Sequence, residues 1–262
     1  KTPISLQQHT HQPMSADVTD TISNAFQDKK LLTKRELLTW LEEVYPGVSE
    51  GTLTWRICDL KANGVLENPG RGVYRLSTRE DFIPVFSNLS KRIAALLAKE
   101  LPLVNVCIWE TRWLNAWMEL QPACNWTLIE AEKDVLDVIF NHLTGLSNKV
   151  YLQPNRSIMG LYVLSQNEAV IVKPLVSEAP LMREGKITTA APEKILVDIV
   201  AEQDIFVGQQ GELEHIFENM FSQIPIHQNR LLRYARRRKR EKQVRKLIPV
   251  NHLLPNLNPE GE

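Results

Sequence analysis

Ser49-Glu50-Gly51-Thr52-Leu53-Thr54-Trp55-Arg56-Ile57-Cys58-Asp59-Leu60-Lys61-Ala62-Asn63-Gly64-Val65-Leu66-Glu67-Asn68-Pro69-Gly70-Arg71-Gly72-Val73-Tyr74-Arg75-Leu76 is the stretch whose reading decides the fold. Ser49 offers a hydroxyl to the open amides of a first helical turn, and Gly64 supplies the left-handed residue that ends the helix. Leu53, Ile57 and Leu60 recur at helical spacing and define a buried stripe. The opposite face then carries Thr52, Trp55 and Asp59, with Thr54 and Arg56 on its flanks and Gly51 near its start. After Gly64 an extended Val65-Leu66, a turn over Asn68–Gly72 and a returning Val73–Leu76 read as a hairpin with Arg71 at its tip. Helix, glycine stop and hairpin together predict a winged helix-turn-helix. Short polar residues and an arginine near the helix start suit the major groove of DNA, and a projecting Arg71 suits a phosphate or a minor groove.

Upstream, Thr33-Lys34-Arg35-Glu36 has the spacing of a capping box, and Leu37, Leu38 and Leu41 follow on one face. This is the supporting helix, broken from the next by Pro46 and Gly47. The charge balance pulls the other way. Between Met14 and Glu80 stand nine lysines and arginines against ten acids, so a DNA-binding surface there must gather its few cations on one side. A winged helix used only to dock protein is the competing reading.

At 262 residues the chain fits two domains better than one. No apolar run approaches the roughly 20 residues that a membrane span needs, and Lys1 to Pro13 lacks the apolar stretch of a signal peptide. The cytoplasm is therefore the expected compartment. Cys58, Cys107 and Cys124 are odd in number and far apart, which suggests reduced thiols rather than a disulfide framework or a zinc ribbon. His9 and His11 alone make a poor metal pair. Neither a metal nor another cofactor is expected.

Beyond Leu76, Asp81 to Leu101 reads as a connecting helix ended by Pro102. Strand candidates follow at Leu103–Trp109, Trp126–Ile129, Val150–Leu152, Gly160–Leu164 and Ala169–Pro174, with an amphipathic helix at Lys133–Leu143. This alternation predicts a mixed α/β sheet domain. Trp109, Trp113 and Trp117 fall four apart and share one stripe if Glu110–Leu120 is helical. They then serve either the core or a partner surface. No catalytic constellation stands out. Glu184-Gly185-Lys186 matches only the end of a metal-dependent nuclease motif, so the chain is expected not to be an enzyme, with such a nuclease as the remote alternative.

Thr188-Thr189-Ala190-Ala191-Pro192-Glu193-Lys194-Ile195-Leu196-Val197-Asp198 reads as a helix start: proline suits the first helical position, Glu193 suits the positive end of the dipole, and Ile195, Leu196, Ile199 and Val200 form the buried side. The run also resembles the Pro-Glu-(Lys/Arg)-Thr-Leu-x-Asp signature of AbiEi-type antitoxins, with Ile195 where that family commonly has threonine. Gly70–Leu76 resembles the end of that family's N-terminal winged helix. Arg230-Leu231-Leu232-Arg233-Tyr234-Ala235-Arg236-Arg237 is similar to its closing Leu-x-x-Tyr-Ala-x-Arg segment. The resemblance, to a divergent member, implies a cytoplasmic antitoxin of an abortive-infection, phage-defence toxin-antitoxin system. Its winged helix would repress its own operon at inverted repeats, and its C-terminal domain would counter a nucleotidyltransferase-like toxin. A tight complex with that toxin is not implied.

The zero net charge hides a division. Arg230 to Leu247 holds ten lysines and arginines and the single acid Glu241, whereas Asp81 to Asn229 holds eleven bases and eighteen acids. Asn229 reads as the cap of one basic helix running to Leu247 before Pro249. That helix can lie on its own acidic domain, add phosphate contacts, or face a partner.

The sequence thus predicts an α+β chain of two domains. A winged helix over 14–80 and a connecting helix over 81–102 precede an α/β domain over 103–248 that ends in the basic helix, with flexible arms at 1–13 and 249–262. Thr52, Thr54, Trp55, Arg56, Lys61 and Arg71 are the candidate contacts to double-stranded DNA. Arg233, Arg236, Arg237, Arg238 and Arg240 are candidates for a nucleic acid or a partner.

Overall fold

The computed structural model describes residues 16–62, 64–77 and 79–252. The N-terminal arm with His9 and His11, and residues 253–262, lie outside the described residues. The chain divides into two compact units, Lys1–Lys61 with Val65–Thr78 and Ala62–Gly64 with Arg79–Glu262. Both mix helix and strand.

The first unit runs α1 (Ala16–Phe26), β1 (Leu32–Thr33), α2 (Lys34–Val44), α3 (Glu50–Ala62), β2 (Leu66–Gly70) and β3 (Val73–Leu76). Its three strands form an antiparallel sheet in the order β1-β3-β2. The capping box at α2 is complete. The Glu36 amide donates to Thr33 Oγ1 at 3.2 Å, and the Thr33 amide donates to Glu36 Oε2 at 2.7 Å. At α3 the Thr52 amide donates to Ser49 Oγ at 3.4 Å, and the Val65 amide reaches back to the Leu60 carbonyl at 2.9 Å past Gly64, whose φ is 72°. The buried stripe Leu53, Ile57 and Leu60 meets Leu37 and Leu41 of α2, Ile22 and Phe26 of α1, and Leu32 and Leu66 of the sheet. Pro69 sits in the edge strand beside a bulge, where a missing amide hydrogen costs no ladder bond.

The second unit is built on a six-stranded mixed sheet. Its elements are α4 (Asn88–Glu100), β4 (Cys107–Glu110), β5 (Asn125–Ala131), α5 (Leu136–Thr144), β6 (Val150–Leu152), α6 (Arg156–Ile158), β7 (Glu168–Pro174), β8 (Leu181–Glu184), β9 (Ile187–Ala190), α7 (Pro192–Ala201), α8 (Leu213–Gln223), α9 (Gln228–Arg237) and α10 (Glu241–Leu247). The strand order is β6-β7-β5-β4-β9-β8, with β6, β7 and β5 mutually parallel and β4 antiparallel to β5. β5 and β7 are buried along nearly their whole length, which is why they read as continuous apolar runs rather than alternating ones.

Four local expectations are corrected. The connecting helix starts only at Asn88, because Pro84 interrupts the run and Ser87 Oγ caps by accepting from the Ser90 amide at 3.2 Å. Gly160–Leu164 is helical, not a strand: Asn155 Oδ1 accepts from the Ile158 amide at 2.9 Å and starts α6, which continues into a π-turn over Met159–Val163. The tryptophans do not share a helix. Trp109 lies on β4, and Trp113 and Trp117 lie in a 3-10 segment, Thr111–Trp117. All three are buried, and each indole N–H is satisfied, by Glu130 Oε1, the Val85 carbonyl and Gln223 Oε1 respectively, so they belong to the core and not to a partner surface. Finally, the basic tail is two helices. The run Arg236 to Arg240 places like charges within one turn, and the chain breaks at Lys239, whose φ is 57°. The chain then continues past Pro249 in a short turn, Val250–His252, whose His252 carbonyl accepts from Gln228 Nε2.

Candidate functional site

In the first unit α3 turns Trp55 outward, 43 % exposed, directly opposite the stripe of Leu53, Ile57 and Leu60. Gly51 is exposed one turn before it. Thr52 is half-buried, its hydroxyl 3.0 Å from Ser49 Oγ. Thr54, Arg56 and Lys61 are half-buried on the flanks. The guanidinium carbon of Arg56 stands 3.9 Å from the centre of the Tyr45 ring, so it is stacked on the end of α2. Arg71 is exposed at the hairpin tip beside Gly72, whose φ of 73° requires glycine. The Lys34 amide donates to the Gly72 carbonyl at 3.1 Å and ties that tip to the start of α2. Arg75 is engaged by Glu67 across the strands at 2.5 Å. The outward chemistry at α3 and the hairpin thus includes one indole, two hydroxyls, the Asp59 carboxylate and the Arg71 guanidinium.

The second unit contains a buried cluster of charges that the sequence reading missed. Glu130 at the end of β5 and Lys173 at the end of β7 are register partners, and Lys194 and Asp198 lie one turn apart on α7. Lys194 Nζ donates to Glu130 Oε1 at 2.7 Å and to Asp198 Oδ2 at 2.5 Å. Glu130 Oε1 also accepts from the Trp109 indole, and Asp198 Oδ1 accepts from the Tyr234 hydroxyl at 2.9 Å. Arg238 and Lys173 both bond Glu202, at 2.5 and 2.8 Å, which closes the network at its outer edge. Three carboxylates face three cations. Burial alone lowers the Lys194 pKa, but the carboxylates of Asp198 and Glu130 outweigh it and hold the ammonium charged well above its ordinary range. Burial likewise opposes the Asp198 carboxylate, and Lys194, Lys173 and Arg238 overcome it and keep its pKa below the usual value. Burial pushes the Tyr234 hydroxyl up. Lys194, Asp198 and Glu130 are wholly inaccessible.

The neighbouring Glu193 is also fully buried. It accepts from the His227 amide at 2.8 Å and from Arg230 Nη2 at 2.7 Å, at the positive end of α9. Glu193, Lys194 and Asp198 of one quoted motif and Arg230 and Tyr234 of the other therefore face one another across α7 and α9. One signal for this was legible: Lys194 and Asp198 at i,i+4 spacing in a helix whose residues after Lys194 are otherwise all apolar.

The basic segment splits into two groups. Arg230, Arg236, Arg238 and Arg245 are ion-paired, with Glu193, Glu241, Glu202 and Glu241. Arg233, Arg237, Lys239, Arg240, Lys242 and Lys246 have no carboxylate partner among the described residues, and Arg237 bonds only the Ser177 hydroxyl. Glu184 and Lys186 flank Gly185 in the β8–β9 turn, and among the described residues no group of three His, Cys, Asp or Glu side chains is placed to hold a metal ion.

The family model described as "Family of unknown function (DUF6577)" matches residues 52–253, most of the chain, and the chain belongs to that family. Comparison with curated proteins finds no match.

Proposed function

We propose that this DUF6577 chain is a non-catalytic, cytoplasmic DNA-binding autorepressor and antitoxin, AbiEi-like in plan, whose first unit is a winged helix-turn-helix. Helix α3 is the recognition helix and the β2–β3 hairpin is the wing. The observation that carries the reading is the exposed Trp55, flanked by Gly51 and Thr52, on the outward side of α3 in a unit that also exposes Arg71 at a hairpin tip. The element order α1-β1-α2-α3-β2-β3 with the sheet order β1-β3-β2 supports the same reading. No helix among the described residues is long and apolar enough to cross a membrane. The cognate toxin, on the resemblance of the α7 and α9 motifs, is nucleotidyltransferase-like, encoded beside this chain.

The test is a gel shift with the gene's own upstream region against a scrambled duplex, comparing the wild type with Arg71→Ala and Thr52→Ala. Preferential binding to inverted repeats, weakened by either substitution, is the expected result. Equal affinity for both duplexes removes the repressor reading. Co-expression with the adjacent reading frame tests the antitoxin part: growth arrest relieved by this chain is expected, and arrest unrelieved by it counts against that part.

A further inference from the structure

We infer that the first unit reads A·T base pairs, with Trp55 packed on thymine methyl groups in the major groove; this rests on the DNA-binding reading above. In the major groove, guanine is read chiefly by an arginine or lysine that donates to O6 and N7, adenine by an amide, and thymine by apolar contact with its methyl group. The outward face of α3 supplies only the last of these. Its centre is the Trp55 indole, 43 % exposed. Gly51 beside it has no atom closer than 4.0 Å to where a Cβ would stand, so the first turn presents bare backbone and lets the indole approach a groove floor. Thr52 adds a methyl and a hydroxyl.

The cations of α3 are elsewhere. Arg56 lies on the Tyr45 ring, 3.9 Å from its centre, and reaches a guanine edge only by leaving that stack. Lys61 stands roughly 120° around the helix from Trp55. Asp59, on the outward side one turn on, is an acceptor only, and accepts from an exocyclic amine of adenine or cytosine. Guanine therefore meets no arginine or lysine at the centre of this face. Arg71 points to the same composition. The A·T minor groove is narrow and its negative potential attracts an inserted arginine, and Arg71 stands exposed on a glycine-flanked tip whose conformation Gly72 fixes at φ 73°.

The experiment is fluorescence anisotropy with the full chain on a duplex of about 40 base pairs taken from the upstream region that the gel shift retards. Three forms are compared: the natural duplex, one with deoxyuridine for thymine, which removes only the methyl groups, and one with 7-deazaguanine for guanine, which removes only the N7 acceptor. Deoxyuridine is expected to weaken wild-type binding about five- to tenfold and 7-deazaguanine less than twofold. With Trp55→Ala the natural duplex is expected to bind about as weakly as the deoxyuridine duplex, and the methyl effect to vanish. Tight binding to the deoxyuridine duplex, a methyl effect that survives Trp55→Ala, or marked weakening by 7-deazaguanine overturns the inference and leaves DNA binding standing. Binding no tighter than to a scrambled duplex removes both.

Discussion

Replacing Lys194 with methionine preserves the aliphatic stem and deletes the ammonium at the centre of the buried network. Both carboxylates it serves are fully inaccessible, at 2.7 Å for Glu130 and 2.5 Å for Asp198. Each retains something: Glu130 keeps the Trp109 indole and a distant Lys173 at 3.6 Å, and Asp198 keeps the Tyr234 hydroxyl and Arg238 at 3.7 Å. Breaking a buried pair by removing one partner costs about 3–5 kcal/mol, because an uncompensated charge stays in a low dielectric. With a urea m-value of about 2–3 kcal/mol/M, the unfolding midpoint of the second unit falls by about 1–2 M. Tryptophan emission is the natural probe. Trp109, Trp113, Trp117 and Trp126 all lie in this unit, and Trp109 is bonded to Glu130 and stacked on Phe206 at 5.5 Å. The double variant Lys194→Met, Asp198→Asn removes one charge of each sign, leaving Glu130 and Glu202 with Lys173 and Arg238, and is expected to recover most of the loss. A single variant that loses less than about 1 kcal/mol, or a double no more stable than the single, refutes the view that uncompensated charge sets the cost.

Three further outcomes follow from the same geometry. Arg233→Ala with Arg237→Ala and Lys242→Ala is expected to flatten the salt dependence of DNA binding, by up to about three in log–log slope if each meets a phosphate, whereas Arg236→Ala, already paired with Glu241, changes it little; an unchanged triple-variant slope excludes a phosphate role. Second, the lowered Asp198 pKa contributes stability that is present above its ordinary value of 3.8 and lost as pH falls through the folded value, and the raised Lys194 pKa contributes stability present below 10.5 and lost as pH climbs through the folded value. The urea midpoint of the second unit is therefore expected to stay nearly level from about pH 5 to pH 9 and to drop in strong acid; a midpoint that drops between pH 7 and pH 5 contradicts this. Third, Thr33→Ala opens the capping box of α2 and should cost about 0.5–2 kcal/mol in a thermal melt, with Thr33→Ser retaining most of it; equal melting of the two variants speaks against the cap.

Local chemistry was legible where a residue acts on its own few neighbours. The Thr33 box, the Ser49 and Gly64 bounds of α3, the Asn68–Gly72 turn and Pro192 at the head of α7 are all readable because the hydrogen bond or φ value in question spans fewer than six residues. What failed was set at long range. Asn229 looked like a cap, yet Glu193, 34 positions before His227 in the chain, bonds the His227 amide and α9 starts at Gln228. The run of cations after Tyr234 reads as one basic helix, whereas the chain breaks at Lys239 and Arg238 turns inward to Glu202. The stack of Arg56 on Tyr45, the residue that caps α2, is a contact that helical spacing cannot show.

The two motifs on α7 and α9 that carry the sequence resemblance spend their polar groups on each other: Glu193 on Arg230, and Asp198 on Lys194 and Tyr234. A polar group already desolvated and saturated has nothing left to offer a ligand, so these positions constrain how α7 seats against α9 and the sheet rather than what the protein binds. A buried ion network contributes little net stability against an apolar core of the same volume, but it penalises every packing in which one partner is missing. On this argument the recognisable residues specify the scaffold, and binding has to come from side chains that the scaffold leaves unspent. In the second unit those are Arg233, Lys239, Arg240, Lys242 and Lys246, which have no carboxylate partner among the described residues, and in the first it is the exposed Arg71. Substitutions in the two groups should therefore separate cleanly: Asp198→Asn should lower the unfolding midpoint and leave the DNA affinity of the remaining folded protein unchanged, while Arg71→Ala should do the reverse. A folded Asp198→Asn variant with weakened DNA binding would show that the network does more than hold the second unit together.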